Sequence, residues 1–190
     1  MADRQPKDLR QLLIETGLKI LAEEGLEKLT LRRVASRSGV SHAAPAYHFK
    51  GLPELLGCIC AVGFEDLVKT MEHARENAPQ TPRGRLVAIC EGYVAFAEAN
   101  RGLIQLMFSN RRGVVDDVPL RPAAERAYTV LREGCAPFAP IGTEPDSTET
   151  MIWSLVHGFA FLRTGERFAN PYRNTPEPKV ADVIPDLALR

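Results

Sequence analysis

Apolar positions in this chain recur at intervals of three and four, and breakers between the runs mark out a succession of helices. Leu9, Leu12, Leu13, Thr16, Ile20 and Leu21 share one side of a helix over 8–24, which Gly25 is expected to close as a left-handed residue past its last turn. Thr30 is a favoured N-cap for a short helix Leu31–Ser38. Gly39 then breaks the chain, and Ser41 is expected to cap a third short helix running to about Tyr47. Leu52-Pro53-Glu54 opens a long helix reaching about Asn77 through Leu55, Leu56, Ile59, Val62, Gly63, Leu67 and Met71, with Pro53 tolerated in its first turn. Beyond the breaker-rich Ala78-Pro79-Gln80-Thr81-Pro82, helices are predicted over Arg83–Ala99, Gly102–Phe108, 120–136 and Thr148–Phe168. Loops are predicted over Arg111–Pro119 and Pro137–Pro145, and a tail from Ala169 with room for only a short helix. No segment alternates with period two, and no internal repeat occurs. The fold class is therefore all-α. Three helices with a tight glycine turn between the second and third describe a helix-turn-helix domain over 1–51, followed by a helical bundle over 52–190.

Charge changes this picture more than composition does. The formal net charge is zero, yet residues 1–50 carry nine Lys/Arg against six Asp/Glu, and the remaining 140 carry fifteen against eighteen. A basic front end suits a polyanionic partner, because neutralised phosphates supply most non-specific affinity for DNA. A hydrophobic share of 45% allows a real core without a membrane-spanning run, and the charged first ten residues do not read as a secretory signal, which implies a cytoplasmic protein. Cys58, Cys60, Cys90 and Cys135 lack the companions of a metal site and read as buried free thiols, so no metal and no cofactor is expected. Phosphate-binding loops, Gly-x-Ser-x-Gly and His-Glu-x-x-His are missing, while Glu23-Glu24 and Asp116-Asp117 read as solvated carboxylates. An enzyme is not indicated.

The string Leu29–Phe49, LTLRRVASRSGVSHAAPAYHF, resembles the DNA-binding region of TetR-family regulators. The resemblance rests on Thr30 opening a helix, Val34-Ala35 on its buried side, Gly39-Val40-Ser41 at the turn and His48-Phe49 at the close, flanked by Gly25 and Leu55-Leu56. It implies that the third helix enters the major groove, with His42, Ala43 and Ala44 toward base edges. Arg32 and Arg33 fall where the family touches backbone and sometimes bases. Thr30 and Ser41 expose helix N-termini that grip phosphates, and Tyr47, His48 and Lys50 are candidate phosphate contacts. His48 packing at the helix end and Arg33 as a solvated charge remain open alternatives. Two positions depart from the family: Ala46 stands where an aromatic is usual, and Leu52 where Lys is usual. Pro45 falls at the fourth position of the expected third helix, where it forfeits one bond, to the Ser41 carbonyl.

Further along, Trp153-Ser-Leu-Val-His157-Gly158 resembles a Trp-x-x-x-His-Gly signature of one branch of the family's C-terminal domains. Trp153 and His157 share a helical face, and Gly158 admits a close helix. The resemblance implies a homodimer through a four-helix interface, a small, partly apolar effector, and repression of a near-palindromic double-stranded DNA operator. Tyr93, Phe96, Phe108, Trp153, His157 and Phe161 are candidate pocket residues, with plain core packing the alternative for each. The competing reading is a helical adaptor that uses the three-helix module for protein contacts.

Overall fold

The computed structural model describes residues 9–109, 119–165 and 177–190. In chain order its helices are α1 (Leu9–Glu24), α2 (Leu31–Ser38), α3 (Leu52–Glu76), α4 (Pro82–Ala99), α5 (Arg101–Met107), α6 (Leu120–Cys135), α7 (Ser147–Thr164) and α8 (Val180–Val183), with 3-10 turns at Leu26–Lys28 and Ala44–Tyr47. Among the described residues there is no strand, only an isolated antiparallel bridge between Phe138 and Leu189. The end of the last long helix at Phe168 and most of the loop Arg111–Pro119 lie outside the described residues. No described helix is long and apolar enough to cross a membrane.

The chain packs as two units, and the first comprises 1–64 and 100–123. Leu13, Ile14, Ile20 and Leu21 of α1, Val34 and Ala35 of α2, Phe49, and Leu55 and Ile59 of α3 are its buried core. Gly17 lets α1 lie against α3, since a Cβ there would come within 2.7 Å of Ile59 Cδ1. Thr16, buried on α1, donates to the Leu12 carbonyl at 2.8 Å and accepts from Ser38 at 3.0 Å, tying α1 to the end of α2. Gly25 departs from the expected helix-closing geometry. At φ 82° and ψ 173° it takes a backbone region open essentially to glycine but not the left-handed helical one, and it leads directly into the 3-10 turn.

The second unit comprises 65–99 and 124–190, so the first half of α3 and all of α5 pack with the N-terminal helices. Here α4 packs along α7, burying Leu86, Ile89, Tyr93, Val94 and Phe96 against Ile152, Val156, Phe159 and Ala160. The second half of α3 crosses α4 closely at Gly92, where a Cβ would meet Met71 Cα and the Thr70 carbonyl at 2.9 Å. Arg83, at the start of α4, caps the far end of α8 with hydrogen bonds to the carbonyls of Pro185 and Ile184 at 2.8 and 3.0 Å.

Candidate nucleic-acid interface

The turn between α2 and the following element is built from backbone chemistry. Thr30 accepts from the Arg33 N–H at 3.1 Å, satisfying one of the free donors that open α2. Gly39 (φ 71°, ψ 27°) closes the helix in the left-handed region, and Val40 N–H returns to the Ala35 carbonyl at 3.1 Å. The chain reverses there without a larger loop.

The element after the turn differs from expectation. Ser41 does not cap an α-helix; 42–43 form a turn and Ala44–Tyr47 a single 3-10 segment without a side-chain cap. The reason is Pro45. It has no N–H to return to the Ser41 carbonyl, which instead accepts from Ala44 at 3.0 Å, one residue short of the α spacing. Pro45 is itself buried, so its ring anchors the segment where an ordinary recognition helix would use an aliphatic side chain. Phe49 N–H returns to the Pro45 carbonyl at 2.9 Å and buries its ring, while Val40 is half-buried.

These elements leave the predicted side chains outward. Thr30, Arg32, Arg33, Ser41, His42, Ala43, Tyr47 and Lys50 are exposed, and Ala44 and His48 are half-buried. Tyr47 is 86% exposed, an unusual state for an aromatic in a packed unit. A shallow groove of about 320 Å³ is lined by Thr30, Arg32, Arg33, Ser36 and His42, so the start of α2 and the turn residue His42 converge on one concavity rich in donors. Lys50 uses its backbone N–H to donate to Glu54 at 2.8 Å, fixing the start of α3 and leaving its ammonium outside that bond.

Arg10 and Arg37, to which the sequence reading assigns no role, and Glu23 and Glu24, which it reads as solvated carboxylates, hold this surface in place. The Arg10 guanidinium lies 5.2 Å from the centre of the Phe49 ring, donates to Cys58 Sγ at 3.1 Å and pairs with Glu54 at 3.7 Å. It thereby locks α1 to α3 and to Phe49 beyond the 3-10 segment. Glu24, at the end of α1, takes Arg33 in a two-point hydrogen bond at 3.0 and 2.9 Å, and Arg37 binds both Glu24 and Glu23. Such cross-element pairs have no signature in sequence spacing.

In the second unit, two of the six predicted pocket residues meet: the Tyr93 hydroxyl and His157 Nδ1 are 2.7 Å apart. Burial lowers the His157 pKa from its ordinary value and raises that of Tyr93. Phe96 is core. Trp153 and Phe161 are 40% and 63% exposed, and Phe108 belongs to the first unit, edge-on to Phe64 at 5.6 Å. Cys58, Cys60, Cys90 and Cys135 are buried free thiols, and no group of metal-ligating side chains occurs among the described residues.

Comparison with known proteins bears on both units. Residues 13–57 match the profile of bacterial regulatory proteins of the tetR family, and residues 86–182 match that of the tetracyclin repressor-like C-terminal domain. The Tetracycline repressor protein class C of Escherichia coli is 30% identical over 130 residues, 66% of this chain and 53% of that protein. The chain spans about half the length of the curated relatives it matches. A protein of unknown function from Rhodococcus sp. RHA1 superposes with TM-score 0.73 at 28% identity, over 95% of this chain and 93% of the other. The multidrug binding protein EbrR, in complex with imidazole, shares the fold at TM-score 0.59 and 19% identity, over 87% and 88% of the two chains. With both halves matched, the chain belongs to the TetR family of transcriptional regulators, which are DNA-binding proteins and not enzymes.

Proposed function

We propose that the protein is a homodimeric repressor that binds a near-palindromic operator through residues 1–51 and is released by a small, partly apolar effector bound within 52–190, acting in the cytoplasm. The observation that carries this reading is the convergence of Thr30, Arg32, Arg33, Ser36 and His42 on one exposed groove beside the 3-10 segment. Arg32, Tyr47 and Lys50 supply sequence-independent grip on phosphates, and His42 is the side chain equipped to read a base edge. Ala43 and Ala44 offer only methyl contacts.

Support for the dimer comes from α7. Met151, Leu155, Phe161 and Leu162 occupy its outward side, with Leu155, Phe161 and Leu162 exposed. Ser154 and Gly158 run down the middle of that side, and a Cβ on Gly158 would meet nothing within 4 Å among the described residues. A second α7 suits the gap that Gly158 leaves. Two copies so joined present two reading surfaces to two half-sites. The effector reading draws on the Tyr93–His157 pair, polar groups beside the buried apolar residues of α4 and α7, and on EbrR, a fold relative that binds drugs. Because α3 runs from the first unit into the second, a ligand that favours one setting of α3 would bias the spacing of the paired readers.

The test is a titration of the full chain against duplex DNA flanking its own gene, with random competitor and at several salt concentrations. Competitor-resistant binding with a steep salt slope is expected. Salt-insensitive association, or none beyond that with random duplex, would reject the repressor in favour of a protein-contacting adaptor.

A further inference from the structure

Of the two arginines that line the groove, Arg33 is already engaged. Arg33 Nε and Nη2 donate to the two oxygens of Glu24 at 3.0 and 2.9 Å, the two-point geometry by which a guanidinium also takes a phosphate. One turn along α2, Arg37 Nη1 donates to the same Glu24 oxygen at 2.9 Å and pairs with Glu23 at 2.7 Å. Two carboxylates thus offset two guanidinium groups beside the surface that meets DNA. The position is unfavourable for α1 itself: Glu24 is its last residue, at the negative end of the helix dipole, and no basic residue of α1 stands in that turn. Helix chemistry does not account for an acid there, whereas pairing with α2 does. The Arg33 hydrogen bond first, and those of Arg37, hold the Glu24 carboxyl below its ordinary value, so it stays ionised at neutral pH.

We propose that Glu24 is an internal surrogate for a DNA phosphate, one that occupies the Arg33 fork in the free protein and must be exchanged for a backbone phosphate on binding. The proposal rests on the DNA-reading function above. Phosphate contacts carry no sequence information, so an internal competitor lowers affinity for every duplex by a similar factor. Its value lies against the excess of random DNA: the protein is not held there by a grip that discriminates nothing, and base contacts through His42 decide residence.

The experiment compares the full-length protein with Glu24→Gln, Arg33→Ala and the double variant on a random-sequence duplex over a range of salt, with far-ultraviolet circular dichroism and a thermal melt as checks of folding. Glutamine keeps the size and an acceptor oxygen and removes the charge. Glu24→Gln is expected to bind random duplex roughly three- to tenfold tighter at low salt, with a log–log salt slope steeper by about one unit, as for one added phosphate contact. Arg33→Ala is expected to abolish that gain, costing more in the Glu24→Gln background than in the wild type. A folded Glu24→Gln protein that binds no tighter than wild type overturns the proposal and leaves the DNA-reading function standing. Wild-type protein with no salt-dependent affinity for any duplex overturns the DNA-reading function, and this proposal with it.

Discussion

The two units place their polar and apolar groups in opposite ways. In the first, the interior is aliphatic and the outer face of α2 and the 3-10 segment carries arginines, histidine and an almost bare tyrosine. In the second, the buried Tyr93 is hydrogen-bonded to the half-buried His157, while the outer side of α7 exposes Leu155, Phe161 and Leu162. Exposed charge beside short elements joined by a tight turn suits a polyanion whose spacing is fixed. An exposed apolar stripe on a long helix suits another apolar surface. On the function proposed, the difference separates the task of contacting DNA from that of setting how many copies do so.

The comparison is broken most severely by charging the α7 stripe. Leu155→Glu with Phe161→Glu is expected to give monomers by sedimentation velocity and to cost on the order of a hundredfold or more in operator affinity, as two linked half-site contacts become one. Next comes the core of the second unit. Gly92→Ala forces a methyl group to within 2.9 Å of backbone atoms of α3, and overpacking of that kind costs about 1–3 kcal/mol, read as a lowered urea midpoint. On the first unit, His42→Ala is expected to flatten preference at one base position, worth about 1–3 kcal/mol of discrimination. Arg32→Ala should instead weaken binding to all sequences and reduce the salt slope by about one unit.

The smallest effect concerns pH. Burial depresses the His157 pKa, so the folded protein favours neutral imidazole while the unfolded chain takes up its proton near the ordinary value of 6.5. The stability due to this group is therefore full above that value and is lost as pH falls toward the lowered one. Comparing urea midpoints at pH 7.5 and about 5.5, His157→Gln should show the shallower pH dependence, by a fraction of a kcal/mol for a half-buried group. An unchanged pH dependence would mean that the Tyr93–His157 pair tolerates the imidazolium.

Much of the fold was legible because it rests on local signals. The 3.6-residue periodicity located the long helices to within a few residues, and the capping residue Thr30 and Gly39 fixed both ends of α2. Where one residue carries two meanings, the sequence reading fell short. Pro45 was weighed as a cost within an α-helix, and it converts the segment to 3-10. Gly25 was expected in the left-handed helical region and takes a different positive-φ conformation. The string Leu29–Phe49 singles out residues that prove exposed or half-buried, whereas it says nothing of their supports. Arg10 on Phe49 and Glu24 on Arg33 join residues 39 and nine positions apart through packing between helices, which spacing along one helix does not encode. Among the aromatic candidates, helical spacing could not separate Phe161, facing out, from Phe96, facing in.

The central claim is that a second unit pairs two copies of a DNA-reading first unit. Footprinting of the full-length protein on the flanking duplex it retains tests this most directly. Two protected half-sites centred about one helical turn (roughly 34–36 Å) or a multiple of it apart are predicted, both lost together in the Leu155→Glu/Phe161→Glu variant. A single protected half-site that survives in that variant would contradict it.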